Sequence, residues 1–190
     1  MNNEQATTIA ADIIRLYRQH GGEEYAGEAI TQLEHMAQAA QLAQELGYDE
    51  EVILAAFLHD IGHICVSMQG SNEMDGYGIV DHEEIGATFL RHKGFSARLI
   101  RLVESHVDAK RYLTYSSPGY YDNLSEASKR TLEFQGGQMN ATEAAAFEAD
   151  PLFELMIKLR RWDEAAKIEN IPVPDLSPWQ EMIRRHLLAQ

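Results

Sequence analysis

The stretch ILAAFLHDIGHIC, residues 53–65, constrains the fold more than any other part of the chain. It continues an apolar helical pattern that begins near residue 50, so the sequence predicts a helix over 50–63 that is buried on nearly all sides. Such a helix lies at the centre of a packed structure. Its last turn nevertheless holds His59, Asp60 and His63, and a buried carboxylate without a partner costs several kcal/mol. The surrounding fold must therefore supply partners for these side chains.

Helical spacing of apolar residues dominates the rest of the chain as well, and convincing strand alternation is absent. Proline suits a first helical turn, so Asp150-Pro151 and Ser177-Pro178 each open a predicted helix. Asp81 and Glu84 form a plausible capping pair for another helix. We predict an all-α fold, a single domain over residues 1–190, loops at 64–80 and 112–124, and further helices at 5–19, 27–46, 82–93, 95–111, 125–134 and 140–149.

Composition restricts the partners of this chain. Its formal net charge of −14 argues against nucleic acid or anionic lipid, but a small anionic substrate needs only a local basic pocket. Cys65 is the single cysteine, so an internal disulfide is impossible. The first 20 residues do not resemble a signal peptide, and no apolar run reaches the ~20 residues of a membrane span. We therefore expect a cytoplasmic protein that binds no membrane; the sequence leaves its oligomeric state open.

Histidine is abundant, with eight residues, and four of them fall with two aspartates on or beside five predicted helices. A single histidine on a helix is usually an ordinary core or surface residue, but side chains on facing helices are how bundles build metal sites. Imidazole and carboxylate ligands suit iron, manganese or zinc. Six ligands exceed the need of one catalytic ion, so two ions are predicted, with Asp60 placed to bridge them. The candidate ligands are His35, His59, Asp60, His82, His106 and Asp163.

The order of these ligands resembles that of the HD-domain superfamily, and the string LHDIGH is typical of it. The additional histidines in DHEEIGA and ESHVDAKRYL resemble its dinuclear branch. The segments YAGEAITQLEH, GHICV, GYGIVDHEEIGATFL, SHVDAKRYL, SEASKRTLEFQGG and KLRRWDEAAK are similar to the HD-domain mixed-valent diiron oxygenases that cleave carbon–phosphorus bonds.

This resemblance implies a cofactor and a reaction. One iron would be held by His35, His59, Asp60 and Asp163, and the other by Asp60, His82 and His106, in an Fe(II)/Fe(III) pair. The implied substrates are dioxygen and a 1-hydroxy-2-aminoethylphosphonate. The implied products are phosphate and glycine, or glycine betaine when the amine carries three methyl groups.

Donors for a phosphonate occur where the resemblance places them. His63 follows His59 by one helical turn, Lys110 follows His106 by one turn, and Arg160 precedes Asp163 by one turn. Ser128 lies near the start of a short predicted helix, where free N–H groups favour an anion. A solvated helix face is the ordinary alternative for Lys110 and Arg160. We predict that His63, Lys110, Ser128 and Arg160 bind the phosphonate.

Tyr25 and Glu28 are assigned to a gate by the resemblance alone. The tyrosine would occupy the iron when substrate is absent, and the glutamate would meet the substrate's amino group. Their spacing allows one helical stripe to carry both together with His35. The catalytic set predicted in this way is Tyr25, Glu28, His63 and Lys110. Four tyrosines could form a lid, surround a quaternary ammonium, or simply pack: Tyr112, Tyr115, Tyr120 and Tyr121.

Three other functions use the same motif. A phosphohydrolase would direct a metal-bound hydroxide at a phosphate ester or anhydride. An oxygenase resembling inositol oxygenase would bind an uncharged substrate, for which Lys110 and Arg160 would be unnecessary. A signalling HD domain without activity typically loses ligands, whereas this chain keeps all six.

Overall fold

The structure, a computed structural model, describes residues 1–25, 27–66 and 81–190. These residues form twelve α-helices and no β-strand, which confirms the predicted all-α fold. Among the described helices, none combines the length and the apolar character that a membrane span requires. The helices are α1 (Asn3–His20), α2 (Gln32–Glu45), α3 (Glu50–Leu58), α4 (Ile61–Val66), α5 (His82–Lys93), α6 (Ala97–Glu104), α7 (His106–Ser116), α8 (Tyr120–Asn123), α9 (Glu126–Phe134), α10 (Ala141–Glu148), α11 (Phe153–Ala165) and α12 (Ser177–Leu188).

Helix α3 occupies the centre, as its apolar sequence predicts. Every residue from Val52 to Leu58 is buried, and α2, α6 and α12 pack around it. Phe57 is stacked between Tyr17 of α1, with ring centroids 4.6 Å apart, and Trp179 of α12, at 4.5 Å. The Tyr17 hydroxyl also donates a hydrogen bond to the Phe57 carbonyl at 2.6 Å. These contacts fix the C-terminal end of α3, where the polar side chains begin.

Two helices predicted as continuous are interrupted, and each interruption lies at a histidine or directly before one. The predicted helix 50–63 divides at His59-Asp60 into α3 and α4, and the predicted helix 95–111 divides at Ser105 into α6 and α7. The imidazole Nδ1 of His59 bonds to the carbonyl of the residue three positions earlier, at 2.8 Å, and that of His106 does the same at 2.7 Å. Side chains that take up a carbonyl at a helix end compete with the helical ladder. Helical periodicity alone could not predict these breaks.

Helix α2 begins five residues later than predicted. Thr31 caps it, since its hydroxyl accepts a hydrogen bond from Glu34 N at 3.2 Å and its own N–H donates to Glu34 Oε2 at 2.6 Å. Before this capping box the chain forms a tight loop closed by an isolated bridge between Glu24 and Thr31. The prediction that Tyr25 and Glu28 share a helical stripe with His35 is therefore wrong, because neither lies in a helix.

Other boundaries also differ from prediction. Asp81 precedes α5 but has a positive φ of 59° and makes no side-chain capping bond, so the predicted pairing with Glu84 is wrong. The predicted loop 112–124 contains the end of α7 and all of α8. Asp150-Pro151 lies in a turn just ahead of α11. Of the predicted loop 64–80, residues 64–66 belong to α4, and residues 67–80 lie outside the described residues.

Helices α4 and α5 approach each other through Gly62. A Cβ atom built on Gly62 would lie 1.9 Å from the carbonyl oxygen of His82, a distance that no side chain tolerates. Only glycine permits this approach, and the approach brings the first residue of α5 against the last residues of the central helical segment. Glycine at position 62 therefore sets the position of His82.

Candidate metal centre and adjoining cavity

The structure brings all six predicted ligands together in the buried interior. His35 comes from α2, His59 and Asp60 from the junction of α3 and α4, and Asp163 from α11. The other two, His82 and His106, are the first residues of α5 and α7. None of the six is more than 5% exposed, so their partners must lie within the interior of the protein.

Two imidazoles and the Asp163 carboxylate meet on one side of Asp60. The Nε2 atoms of His35 and His59 lie 3.1 Å apart, and both approach Asp60 Oδ2, at 3.5 Å and 3.4 Å. Asp163 Oδ1 lies 3.4 Å from His35 Nε2. His35, His59 and Asp163 thus offer ligand atoms close enough to hold one ion, with Asp60 Oδ2 beside them.

A second imidazole pair lies on the other side of Asp60. The Nε2 atoms of His82 and His106 are 2.9 Å apart, and Asp60 Oδ1 is 3.3 Å and 3.2 Å from them. His63 also brings a ligand atom within 4.8 Å of those of Asp60 and His82, and its ring stacks on His82 with centroids 4.0 Å apart. Because each oxygen of Asp60 faces one histidine pair, this carboxylate has the geometry of a bridge.

The chemistry of these donors fits two metal ions. Three histidines bond to backbone carbonyls through Nδ1: His35 to Ala166 at 2.9 Å, His59 to Ala56 and His106 to Val103. These bonds assign the proton to Nδ1 and direct the Nε2 lone pair into the cluster. Two such nitrogens about 3 Å apart repel each other unless a proton or a metal ion lies between them. Among the described residues, Asp60 Oδ1 is buried with no hydrogen-bond partner.

The charge state of the two carboxylates also suits the binding of metal ions. Burial by itself would raise the pKa of Asp60, but the neighbouring imidazoles hold that pKa well below its usual value. Burial acts in the same way on Asp163, and the Arg160 guanidinium holds the pKa of Asp163 well below the ordinary range. For His59, burial lowers the pKa but the Asp60 carboxylate outweighs it, and the pKa rises to about 9. A metal ion that binds His59 must therefore displace a proton.

A cavity of about 60 Å³ adjoins the cluster and is rich in donors. Lys110 is 3% exposed, and its Nζ donates to Thr131 Oγ1 at 2.9 Å. Burial, with Arg160 nearby, lowers the pKa of Lys110 to about 7. Arg160 donates to Asp163 Oδ2 at 2.5 Å, while its Nη2 is buried without a hydrogen-bond partner among the described residues. Such an unpaired donor beside a cavity is a site for an anion.

The four predicted anion donors all line this cavity. His63, Lys110, Ser128 and Arg160 reach it from α4, α7, α9 and α11 respectively. Ser128 lies in the first turn of α9, which Ser125 caps by accepting a hydrogen bond from Ser128 N at 3.2 Å. The structure thus places these side chains together; their role in binding a phosphonate stays a prediction.

Tyr25 and Glu28 line the same cavity from the loop that precedes α2. The Tyr25 ring stacks on His35, with centroids 4.0 Å apart and planes inclined by 16°. Burial raises the pKa of Tyr25 well above its usual value, and the Asp60 and Asp163 carboxylates raise it further. Glu28 forms an ion pair with Lys167, whose Nζ lies 2.5 Å from Glu28 Oε1. Both side chains reach the site from this loop and not from a helix, because α2 begins only at Gln32.

The four tyrosines of the region 112–121 lie outside the lining of this cavity. Tyr112 packs against Phe147 and Phe153 and donates to Glu148 at 2.6 Å. The hydroxyl of Tyr120 bonds to Glu164, and Tyr115 and Tyr121 are each 43% exposed. Tyr112 and Tyr120 are thus held by packing and hydrogen bonds, whereas Tyr115 and Tyr121 lie largely at the surface. The four do not form a cage around this cavity.

Sequence reasoning missed four polar side chains of the cavity: Gln32, Thr131, Gln135 and Lys167. Lys167 follows Asp163 by four residues, the same one-turn spacing that singled out Lys110 and Arg160. Thr131 and Gln135 follow Ser128 at spacings of three and seven on α9. Gln32 carried no comparable signal, because its position depends on where α2 begins. The Oε1 atoms of Gln32 and Gln135 are buried without hydrogen-bond partners among the described residues.

Comparison with known proteins agrees with this geometry. The sequence matches the HD domain family over residues 33–150. It is 42% identical over 170 residues to [1-hydroxy-2-(trimethylamino)ethyl]phosphonate dioxygenase (glycine-betaine-forming) of Leisingera caerulea, covering 90% of this chain and 86% of the relative. It is 40% identical over 169 residues to hydroxymethylphosphonate dioxygenase of Gimesia maris, covering 88% and 82%. Protein L432 of Acanthamoeba polyphaga mimivirus is 42% identical over 186 residues, covering 98% and 85%.

Proposed function

Because the chain belongs to the HD domain family, we propose that its two histidine pairs hold two iron ions and that it cleaves the carbon–phosphorus bond of a small 1-hydroxyphosphonate with dioxygen. The observation that carries this proposal is the Asp60 carboxylate between two converging imidazole pairs, directly beside a cavity lined by Lys110 and Arg160. Two relatives named as phosphonate dioxygenases support the substrate class.

The proposed reaction balances without a further reductant. With 2-amino-1-hydroxyethylphosphonate, C₂H₈NO₄P and O₂ give glycine, C₂H₅NO₂, and phosphoric acid, H₃PO₄. The carbon–phosphorus bond and the hydrogen on the hydroxyl-bearing carbon are both lost, and that carbon becomes a carboxyl group. The trimethylammonio analogue would give glycine betaine in the same way. Bound iron ions in an Fe(II)/Fe(III) pair would supply the activation of dioxygen and the oxidation of this carbon.

The side chains of the chain bind and orient the substrate. Lys110 and the Nη2 of Arg160, which has no hydrogen-bond partner among the described residues, offer charged donors to the phosphonate. Ser128 and His63 add neutral donors. Burial excludes water from these contacts and strengthens them. Tyr25, held against His35 above the cluster, must move when a substrate reaches the cavity, because about 60 Å³ is small for a ligand site. Glu28 would face the amino group of an aminated substrate.

Phosphate release and oxygen uptake by iron-loaded protein test this proposal. The substrates are 2-amino-1-hydroxyethylphosphonate, its N-trimethyl analogue and hydroxymethylphosphonate, each with and without oxygen. We expect oxygen-dependent phosphate from at least one of them, with one O₂ consumed per phosphate. His59→Ala should lose both iron and turnover, whereas Lys158→Ala, an exposed position on α11, should keep both. Phosphate released only from esters or nucleotides, without oxygen uptake, would instead identify a phosphohydrolase.

A further inference from the structure

Lys167 forms a contact that bears on which substrate the cavity accepts. It lies two residues beyond the end of α11, and its Nζ donates to Glu28 Oε1 at 2.5 Å. The two side chains are each 17% exposed, so the ion pair is largely removed from water. Lys167 Nζ also lies 5.7 Å from the centre of the Tyr25 ring. One lysine thus contacts both Glu28 and Tyr25, which the loop before α2 places beside the candidate metal centre.

Lys167 also lies at the boundary of two cavities. The inner cavity of about 60 Å³ contains the metal ligands, and an outer cavity of about 420 Å³ lies between α8, α9 and α11. Among the described residues, Lys167 and Ser128 are the two that line both. A phosphonate that passes from the outer to the inner cavity therefore passes the Lys167 ammonium.

The charge of Glu28 is already balanced by this lysine. An ammonium group on the substrate can reach the Glu28 carboxylate only in competition with Lys167, and the two cations repel each other when both are close. A substrate without a cationic group leaves the ion pair intact. The ion pair therefore opposes the binding of a substrate with a cationic second substituent and does not oppose the binding of a substrate without one.

Two hydroxyl groups also lie within reach of the Lys167 ammonium. The hydroxyl oxygens of Ser125 and Ser128, at the start of α9, both lie 3.4 Å from Lys167 Nζ, in addition to the Glu28 carboxylate. A shift of the ammonium toward these hydroxyls would release the carboxylate while the lysine keeps two of its acceptors.

We propose that Lys167 is a specificity-determining residue that competes with a cationic substrate substituent for Glu28. By neutralising Glu28 it disfavours aminated phosphonates relative to hydroxymethylphosphonate, and its displacement accompanies the binding of an aminated substrate. This inference rests on the proposed function, since it assumes turnover of a 1-hydroxyphosphonate at the same site.

The test compares two substrates in three variants. The measured quantity is the ratio of kcat/KM for 2-amino-1-hydroxyethylphosphonate to kcat/KM for hydroxymethylphosphonate. Lys167→Met should raise this ratio about threefold to tenfold, mainly through a lower KM for the aminated substrate. Glu28→Gln should lower the ratio by at least as much, because the ammonium loses its anion and meets a free lysine. Lys158→Met, an exposed lysine on α11, is the matched control and should leave the ratio unchanged.

A binding measurement keeps the test independent of turnover. Titration calorimetry without oxygen, on iron-loaded protein, should give the same change in the ratio of dissociation constants. A ratio that stays unchanged in Lys167→Met, in protein that retains iron and turns over either substrate, would overturn the inference and leave the proposed function intact. If the wild type turns over no hydroxyphosphonate, or releases phosphate from one without oxygen, both the inference and the proposed function are overturned.

Discussion

Lys110→Met should stabilise the protein while it weakens substrate binding. Lys110 is 3% exposed, and burial, followed by the nearby Arg160, lowers its pKa from 10.5 to about 7. In the unfolded chain the ammonium regains its ordinary pKa. The folded state therefore binds fewer protons than the unfolded state between these two values, and the lysine destabilises the fold there. Methionine has a similar shape and no charge to bury.

The magnitude follows from the two pKa values. A gap from 10.5 to about 7 corresponds to a full penalty of about 5 kcal/mol, because each pH unit is worth about 1.4 kcal/mol. The penalty is complete about one unit below pH 7 and is about 4 kcal/mol at pH 7, where the folded lysine is half protonated. It falls to about 1 kcal/mol at pH 10, as the unfolded chain also loses its proton. Removal of the hydrogen bond to Thr131 costs about 1 kcal/mol. The net stabilisation should be about 3 kcal/mol at pH 7 and close to zero at pH 10.

Urea unfolding at pH 7 and pH 10 measures this difference in stability between the variant and the wild type. The protein is kept metal-free, since iron beside Lys110 would change the pKa of the lysine. The midpoint for Lys110→Met should rise at pH 7 and approach the wild-type midpoint at pH 10, with unchanged slope. Lys158→Met, at an exposed position, is the control. In iron-loaded protein the same variant should keep its metal and show a higher KM for the phosphonate. A variant that is no more stable than the wild type at pH 7, or equally stabilised at both pH values, would refute the reasoning.

Three further predictions concern the cluster and its cavity. Gly62→Ala places a Cβ atom against the His82 carbonyl. We expect loss of the metal ion at the His82 and His106 pair and a destabilisation of about 1–3 kcal/mol, measured by metal analysis and unfolding. Gly86→Ala is the milder control, since its Cβ atom would lie 3.2 Å from the Gly62 nitrogen. Asp60→Asn should lose both metal ions, and retention of two would contradict the bridging assignment. Gln32→Leu removes an acceptor that is buried without a hydrogen-bond partner among the described residues. We expect it to lower kcat/KM for the primary amine about fivefold and to leave kcat/KM for the trimethylammonio analogue unchanged, since the latter has no N–H to donate.

The sequence was sufficient to predict the fold class and to identify six candidate ligands, which the structure brings together. Central burial of α3 followed from an unbroken apolar run, and His59 and Asp60 at its end required partners in the core. Three of the four predicted anion donors, His63, Lys110 and Arg160, line the cavity for a local reason, since a residue one turn from a ligand faces the same cavity. Spacing along a helix is enough to place such pairs.

Features that depend on tertiary contacts escaped prediction. The helix breaks at His59 and Ser105 depend on where an imidazole finds a carbonyl, which periodicity does not encode. The spacing of apolar residues predicts a helix from residue 27, which would contain Glu28, whereas the capping box at Thr31 starts α2 at Gln32. The string TQLE carries this capping pattern. Lys167 pairs with a residue 139 positions away, a contact that no local pattern indicates.

The interrupted helices explain how one fold can both bury a metal cluster and orient it. At each break the side chain of the histidine bonds through Nδ1 to the carbonyl three residues earlier, so the helix end itself orients the ring. The opposite nitrogen then faces Asp60, which is also part of the first break. A continuous helix would satisfy those carbonyls internally and would leave the imidazole to find another partner. The local cost of the two breaks is therefore tied to the same interaction that prepares the ligands, which links the packing of α3 and α6 directly to the candidate metal centre.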